Sequence, residues 1–257
     1  MEAFLQLFDA DFVGATIRLS TPVLFATLGG ILNERSGVIN IGLEGIMLMA
    51  ALIGVLGAWY LQDPWIGFLC GIFMGGLIAW VHAFVSVSLK ANQIVSGAAI
   101  NIIGLGMSSF LIRILFGLKD QQRIVPHFSP VKVPLLGDIS YVGTILFNQH
   151  ILVYVAFLLV PLFSIVLYRT RWGLMILSTG EHPQAADTLG INPDRVRYFC
   201  VVISGVLAGA GGAFMSLGQL HFFMDEMVGG RGFIALAALI FGRWDPVGGL
   251  IACLIFG

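Results

Sequence analysis

Five stretches of the chain carry no charged residue: 45–62, 64–89, 91–112, 139–168 and 198–224. Each is about as long as the ~20 residues that a helix needs to cross hydrocarbon. Within them Leu, Ile, Ala, Gly and Phe run on continuously, without the alternation of a transmembrane barrel. The pattern therefore predicts an all-helical integral membrane bundle of at least five spans. Three shorter charge-free runs, 19–33, 232–242 and 246–257, predict half-helices. The first leads into "ERSGVINIG", and "GRWDPVGG" separates the other two. Glycine and proline break helix in these links, so the chain carries a broken, polar hairpin near each end. Paired interruptions of this kind point to a transport pathway, because irregular backbone at membrane depth survives only inside protein or beside a wet cavity.

Composition agrees: 58% of the 257 residues are hydrophobic and 11% charged, against roughly 25% charged in a soluble domain. The net charge of -1, with no basic cluster denser than Arg169 and Arg171 or Arg195 and Arg197, excludes nucleic acid as a partner. Cys70, Cys200 and Cys253 are dispersed in apolar runs and read as core residues. His82 and His221 lack spaced metal-binding partners and read as hydrogen-bonded core histidines, so no metal site is expected. "MEAFLQLFDADF" has no basic n-region or cleavage site and reads as an interfacial lead-in rather than a signal peptide. Arg18 is expected to snorkel to the outer interface.

Basic residues set the orientation. Four arginines lie between Arg169 and Arg197 and Lys90 sits between two spans, while the N-terminus is acidic. The positive-inside rule then places 169–197 in the cytoplasm, the N-terminus outside, and the proline-bearing segment 117–147 outside. Lys119, Arg123 and Lys132 in that segment run against the rule, but reversing the bundle would put the four-arginine loop outside instead.

Candidate path-lining groups are Asn40 and Glu44 in the first hairpin, Asn92, Gln93 and Asn101 on one span, and Gln219 with Phe222. Amides recognise neutral hydroxyls and bases with modest affinity. The same groups can instead tie helices together, at ~0.6 kcal/mol per interhelical hydrogen bond. For Glu44 the alternatives are a proton relay or substrate ligand, and a structural acid held by a neighbouring helix terminus or by Arg35. In "GEHPQAADTLGINPDR" a helix-prone run, Gln184 to Leu189, is closed by Gly190 before Pro193. A short helix parallel to the membrane is predicted there, meeting a soluble partner across Ala185 and Ala186. Gly190 is expected to be left-handed.

"EHPQAADTLGI" resembles the loop by which permease subunits of ABC importers engage their ATPases, with Gln184 where many such loops have Glu. "LNERSGVINIGLEGIMLM" and "RGFIALAALIFGRWDP" resemble the signatures of the branched-chain amino acid, ribose and nucleoside permease family, nucleoside-type branch. The three motifs are spread from residue 32 to residue 246, most of the chain. The resemblance implies a single permease domain over 1–257 with the architecture of type II importers, in the plasma membrane. It implies that Glu181, Pro183, Gln184, Ala185, Ala186, Asp187 and Gly190 contact a cytoplasmic ABC ATPase. It also implies a second permease subunit, alike or paralogous, and an extracellular substrate-binding protein, for which 117–147 is the expected contact. None of Lys90, Lys119 and Lys132 follows a glycine, so no phosphate-binding loop of the G-x-x-x-x-G-K type is present. No cofactor is expected in this chain, and ATP is expected to be hydrolysed in the partner rather than here. Nucleosides fit the branch resembled, with simple sugars or branched-chain amino acids as alternatives. Two rivals from other classes are a proton-coupled secondary transporter using Glu44, which offers no second acid for a relay, and a membrane scaffold, which has little use for paired hairpins. The chain stops at "LIACLIFG" without a charged flank, so one or two further spans are expected.

Overall fold

The computed structural model describes residues 10–117, 123–132, 145 and 148–257. Ten helices occur among them: α1 (Ala10–Arg35), α2 (Leu43–Leu61), α3 (Pro64–Ala83), α4 (Gln93–Phe116), α5 (Ile151–Arg169), α6 (Arg171–Glu181), α7 (Pro183–Thr188), α8 (Pro193–Phe214), α9 (Arg231–Phe241) and α10 (Pro246–Phe256). π-Helical turns extend α3 through Phe84–Ser88 and α8 through Met215–Leu220. A minimal antiparallel pairing joins Val131–Lys132 (β1) to Asn148–Gln149 (β2).

Six of these helices, α1 to α5 and α8, are long and apolar enough to cross a membrane. The protein is thus a multi-pass, all-helical membrane protein. The half-helix expected over 19–33 is instead the second part of the 26-residue α1, which runs unbroken past Arg18. One arginine does not end a helix whose neighbours bury the rest of it. The 139–168 run narrows to α5, the residues before it lying largely outside the described set. The first nine residues and most of 117–147 also lie outside it, so the interfacial lead-in expected over 1–12 falls largely beyond the described residues.

α8 is the central helix, with 83% of its apolar window buried, against 17% for α4 and 28% for α5. It packs on α3, α1 and α2. The close approach depends on paired small residues: a Cβ at Gly75 on α3 would overlap the Gly205 carbonyl oxygen on α8, and Gly71 meets Ala213. Small residues at these positions let backbones touch where lipid provides no hydrophobic drive. The apolar faces left open on α4 and α5 are the ones available to lipid or to another membrane subunit.

α9 and α10 have 11 residues each, about 16 Å at 1.5 Å per residue, roughly half the hydrocarbon thickness. They form a hairpin along α1, where Thr27 Oγ1 donates to the Ala235 carbonyl (3.3 Å) and contacts Cys253 Sγ (3.2 Å). Asp245 caps α10 through the Val247 and Gly248 N–H groups. The late pair of half-helices is therefore present as the sequence predicts.

Candidate functional site

Between α1 and α2 the chain runs without helix from Ser36 to Gly42, and side chains from three elements satisfy its backbone. Gln93 Oε1 accepts from the Ile39 N–H (2.8 Å), and His82 Nε2 meets the Ile39 carbonyl (3.2 Å). A carbonyl only accepts, so Nε2 carries the proton and Nδ1 accepts from Ser96 Oγ (2.9 Å). Asn40 Oδ1 takes the Gly42 N–H (2.9 Å). Asn101 takes the Gly45 N–H (2.8 Å) and donates to the Ile41 carbonyl (3.0 Å). From Gln93 to Asn101 α4 rises about 12 Å. The extended segment follows that rise into the membrane, where each unpaired backbone group would cost several kcal/mol.

Glu44, in the first turn of α2, joins this segment to the late hairpin. Its Oε1 accepts from the Gly230 N–H and its Oε2 from the Gly232 N–H, both at 2.7 Å. These are orphan donors at the start of α9, which has no cap of its own. A carboxylate placed between two helix N-termini suits both dipoles. Gly230 has φ +85°, and a Cβ at Gly232 would overlap the Glu44 backbone. Of the two structural partners open to Glu44, the geometry selects the helix terminus. Arg35 turns elsewhere: its Nε donates to the Trp244 carbonyl (3.2 Å) and Nη2 to the Arg243 carbonyl (3.4 Å). Beside it Trp244 Nε1 donates to Glu34 Oε2 (2.5 Å). The adjacent acid and base thus clasp the α9–α10 turn.

A cavity of about 380 Å³ opens at the junction, lined by Glu44, Leu48, Asn101, Leu105, Glu226 and Phe233 among others. Of the candidate path residues, Glu44 and Asn101 line it, while Asn40 and Gln93 brace the segment beside it. Asn92 caps α4 through the Ile94 and Val95 N–H groups. Gln219 lies apart, donating to the Arg18 carbonyl (2.6 Å). That carbonyl is released by Pro22, four residues on in α1, which has no N–H to give it. Half-buried Phe222 lines neither this cavity nor the next. His82 is the buried, hydrogen-bonded histidine that the sequence suggested, and Gly230, Glu226 and Phe233 are the site-building residues that sequence reasoning missed. Only the Gly229–Gly230 pair gave a signal, as a break before α9.

A second cavity, about 460 Å³, is lined by Arg18, His127, His150, Gln219 and His221 with neighbouring groups. The His127 and His221 rings lie 4.0 Å apart. Arg18 is half-buried, its Nη1 3.5 Å from Gln149 Oε1, rather than fully extended to an interface. Among the described residues no group of three potential ligands could hold a metal. Burial, then the charges of His221, Arg18 and His127, push His150 down from 6.5 to about 4. Between those values the unfolded chain binds a proton that the folded one refuses, so stability is full above about 6.5 and declines as pH falls toward 4. His150→Gln is expected to flatten that dependence, read as the midpoint of thermal unfolding against pH.

In the 169–197 segment, α7 and its closing turn match the predicted short helix within a residue. Gly190 has φ +83°, with its N–H on the Asp187 carbonyl (2.9 Å). Glu181, Gln184, Ala185, Asp187 and Leu189 are exposed and Pro183 half-buried, but Ala186 is 1% exposed. It is therefore covered by its own chain, and the expectation that it lies against a partner is corrected. The preceding α6, unforeseen, touches the end of α1: a Cβ at Gly180 would overlap the Arg35 carbonyl. Arg197 Nε adds a bond to the Ser36 carbonyl (3.3 Å). The exposed helix, the α1 terminus, the α9–α10 turn and the Glu44 junction are thus mechanically continuous.

Comparison with known proteins identifies the family. Residues 12–257 match the family described as branched-chain amino acid transport system / permease component. The guanosine ABC transporter permease protein NupQ of Bacillus subtilis (strain 168) is 41% identical over 254 residues, 95% of this chain and 79% of its own. The nucleoside ABC transporter permease protein NupC of Lactococcus lactis subsp. cremoris is 40% identical over 245 residues, 93% and 77% of the two chains. The putative glucose ABC transporter permease protein TsgC13 of Haloferax volcanii is 37% identical over 254 residues, 97% and 76%. No solved structure matches. A family match over nearly the whole chain, on a bundle with two broken segments meeting inside it, establishes that the protein belongs to the branched-chain amino acid transport system permease family, as a non-catalytic permease component of an ABC importer.

Proposed function

We propose that this permease carries nucleosides inward along a path beside the Glu44 junction, powered by a cytoplasmic ABC ATPase and supplied by an extracellular binding protein. ATP is the partner's, and a second permease, identical or paralogous, completes the path. The N-terminus and 117–147 lie outside the plasma membrane and 169–197 inside, in an architecture of the type II kind. The observation that carries the reading is the meeting of two interrupted hairpins on one carboxylate inside the bundle, beside a cavity, where a shift of either hairpin changes the opening. Unpartnered amide atoms of Asn40 and Asn33 lie buried nearby in sequence. The relatives that handle nucleosides and guanosine favour that cargo, and the glucose-type relative keeps sugars as the second reading.

In proteoliposomes containing the permeases, ATPase and binding protein, uptake is expected to require ATP hydrolysis and to survive a protonophore while ATP is maintained. Excess unlabelled nucleoside should compete and glucose should not. Collapse with the protonophore would indicate proton coupling, and competition by glucose alone would make the cargo a sugar. In the coupling segment, Ala185→Trp is expected to weaken ATPase association by about tenfold, the scale of ~1 to 3 kcal/mol for overpacking. Gly190→Val forces a left-handed turn on a β-branched residue and should act likewise. ATPase co-purification measures both, and full retention in both would make the loop a mere connector.

A further inference from the structure

A third cavity, about 460 Å³ and almost wholly apolar, lies between α5, α6 and α8, lined by Leu162, Phe163, Val166, Trp172, Ile176 and Phe199 among others. It occupies the end of α5 nearest α6. Here the chain turns sharply: Thr170 caps α6 through the Gly173 N–H (3.3 Å), and Gly173 sits so close to α5 that a Cβ would overlap the Leu167 carbonyl. α6 has its apolar residue Ile176 buried against the bundle, while Trp172, 60% exposed, stands beside Phe199 with ring centroids 5.9 Å apart. Arg169 and Arg171 flank this turn. Both are exposed, and neither guanidinium has a hydrogen-bond or ion-pair partner among the described residues.

An apolar slot at the end of a membrane span, with an interfacial tryptophan and two uncommitted arginines next to its lining residues, has the two-part chemistry of a phospholipid. We infer that it holds one anionic phospholipid, an acyl chain lying along Leu162, Phe163, Ile203 and Leu207 and the phosphate meeting Arg169 and Arg171. Charge complementarity selects an anionic head over a zwitterionic one, since two exposed arginines flank the turn that leads to Trp172 at its edge and no carboxylate lines the slot. Trp172, Ile176 and Gly180 recur four residues apart along one stripe of α6, so the bound chain supports α6 on the same face as its Gly180 contact with α1. The lipid therefore props the helix that leads to the ATPase-facing segment.

The test uses the full-length permease with its ATPase in detergent micelles containing equal amounts of phosphatidylglycerol and phosphatidylcholine, read by native mass spectrometry. Retention of phosphatidylglycerol alone through washing is expected. Arg169→Gln with Arg171→Gln should weaken its retention by roughly 25-fold, about fivefold for each arginine. Leu162→Trp, an exposed position that folding tolerates, should displace the lipid by filling the slot while leaving both arginines. Equal retention of the two lipids in the wild type overturns the proposal, as does unchanged retention in the arginine double variant. A photocrosslinker at position 162 that captures a second permease chain or another segment of this one, instead of lipid, overturns it too.

Discussion

Glu44→Leu is expected to abolish transport and to destabilise the protein severely. The substitution leaves the Gly230 and Gly232 N–H groups without an acceptor inside the bundle. Each orphaned buried donor costs about 1 to 3 kcal/mol, so the pair costs about 2 to 6. The loss also removes the negative charge that two converging helix N-termini share. A whole domain is typically stable by ~5 to 15 kcal/mol, so the change consumes a large part of the margin. Glu44→Gln retains one acceptor oxygen and turns an NH₂ toward the other donor. It should lower the unfolding midpoint and the uptake rate together, with no displacement of the pH profile. Thermal unfolding in detergent and uptake across pH 5.5 to about 8, spanning the usual range of maximal stability, measure both. Normal expression with a displaced profile would assign Glu44 a proton-carrying role instead.

Gly180→Val is expected to separate ATP hydrolysis from transport. The added side chain meets the Arg35 backbone carbonyl, which cannot swing aside as a side chain does, so α6 must move off the end of α1. Overpacking of this kind costs about 1 to 3 kcal/mol, enough for roughly a tenfold fall in uptake per ATP hydrolysed. The exposed residues of α7 remain as they are, so ATPase binding should persist. Gly180→Ala should give an intermediate result. Uptake and phosphate release measured on the same proteoliposomes give the ratio, and an unchanged ratio in Gly180→Val would remove the α1 contact from the route of transmission.

The spans were legible because hydrocarbon imposes a length and a composition that local sequence must carry. The late half-helices were legible for the same reason, with Arg243, Asp245 and Pro246 marking their turn. The first half-helix was misjudged because Arg18 looked like a boundary, whereas α1 continues through it. What the sequence could not display was pairing at a distance. Glu44 and Arg35 are nine positions apart and of opposite charge, yet each finds its partner near residues 230 to 244, through a fold that local pattern does not encode. The amides of Asn101 and Gln93 stood out as polar groups in apolar surroundings, but nothing local told whether they faced a solute or a neighbouring backbone. α6 was concealed in a stretch read as loop, although Trp172 and Ile176 have helical spacing. Ala186 was expected to lie against a partner, whereas it is buried within its own chain.

The extended segment from Ser36 to Gly42 constrains how the protein is made. Its backbone partners on α3 and α4 emerge from the ribosome only after α1 and α2 have been synthesised. The acceptor that Glu44 provides waits still longer, for donors 186 and 188 residues further along the chain. Until α4 has been inserted, residues 36 to 45 have no means of residing in hydrocarbon, and the first two spans are held in the translocon or at the interface. Membrane insertion of this chain is thus a delayed, collective event, and a nascent chain arrested before α4 should leave Ile39 and Asn40 open to water-soluble labelling reagents that the finished protein excludes from Asn40.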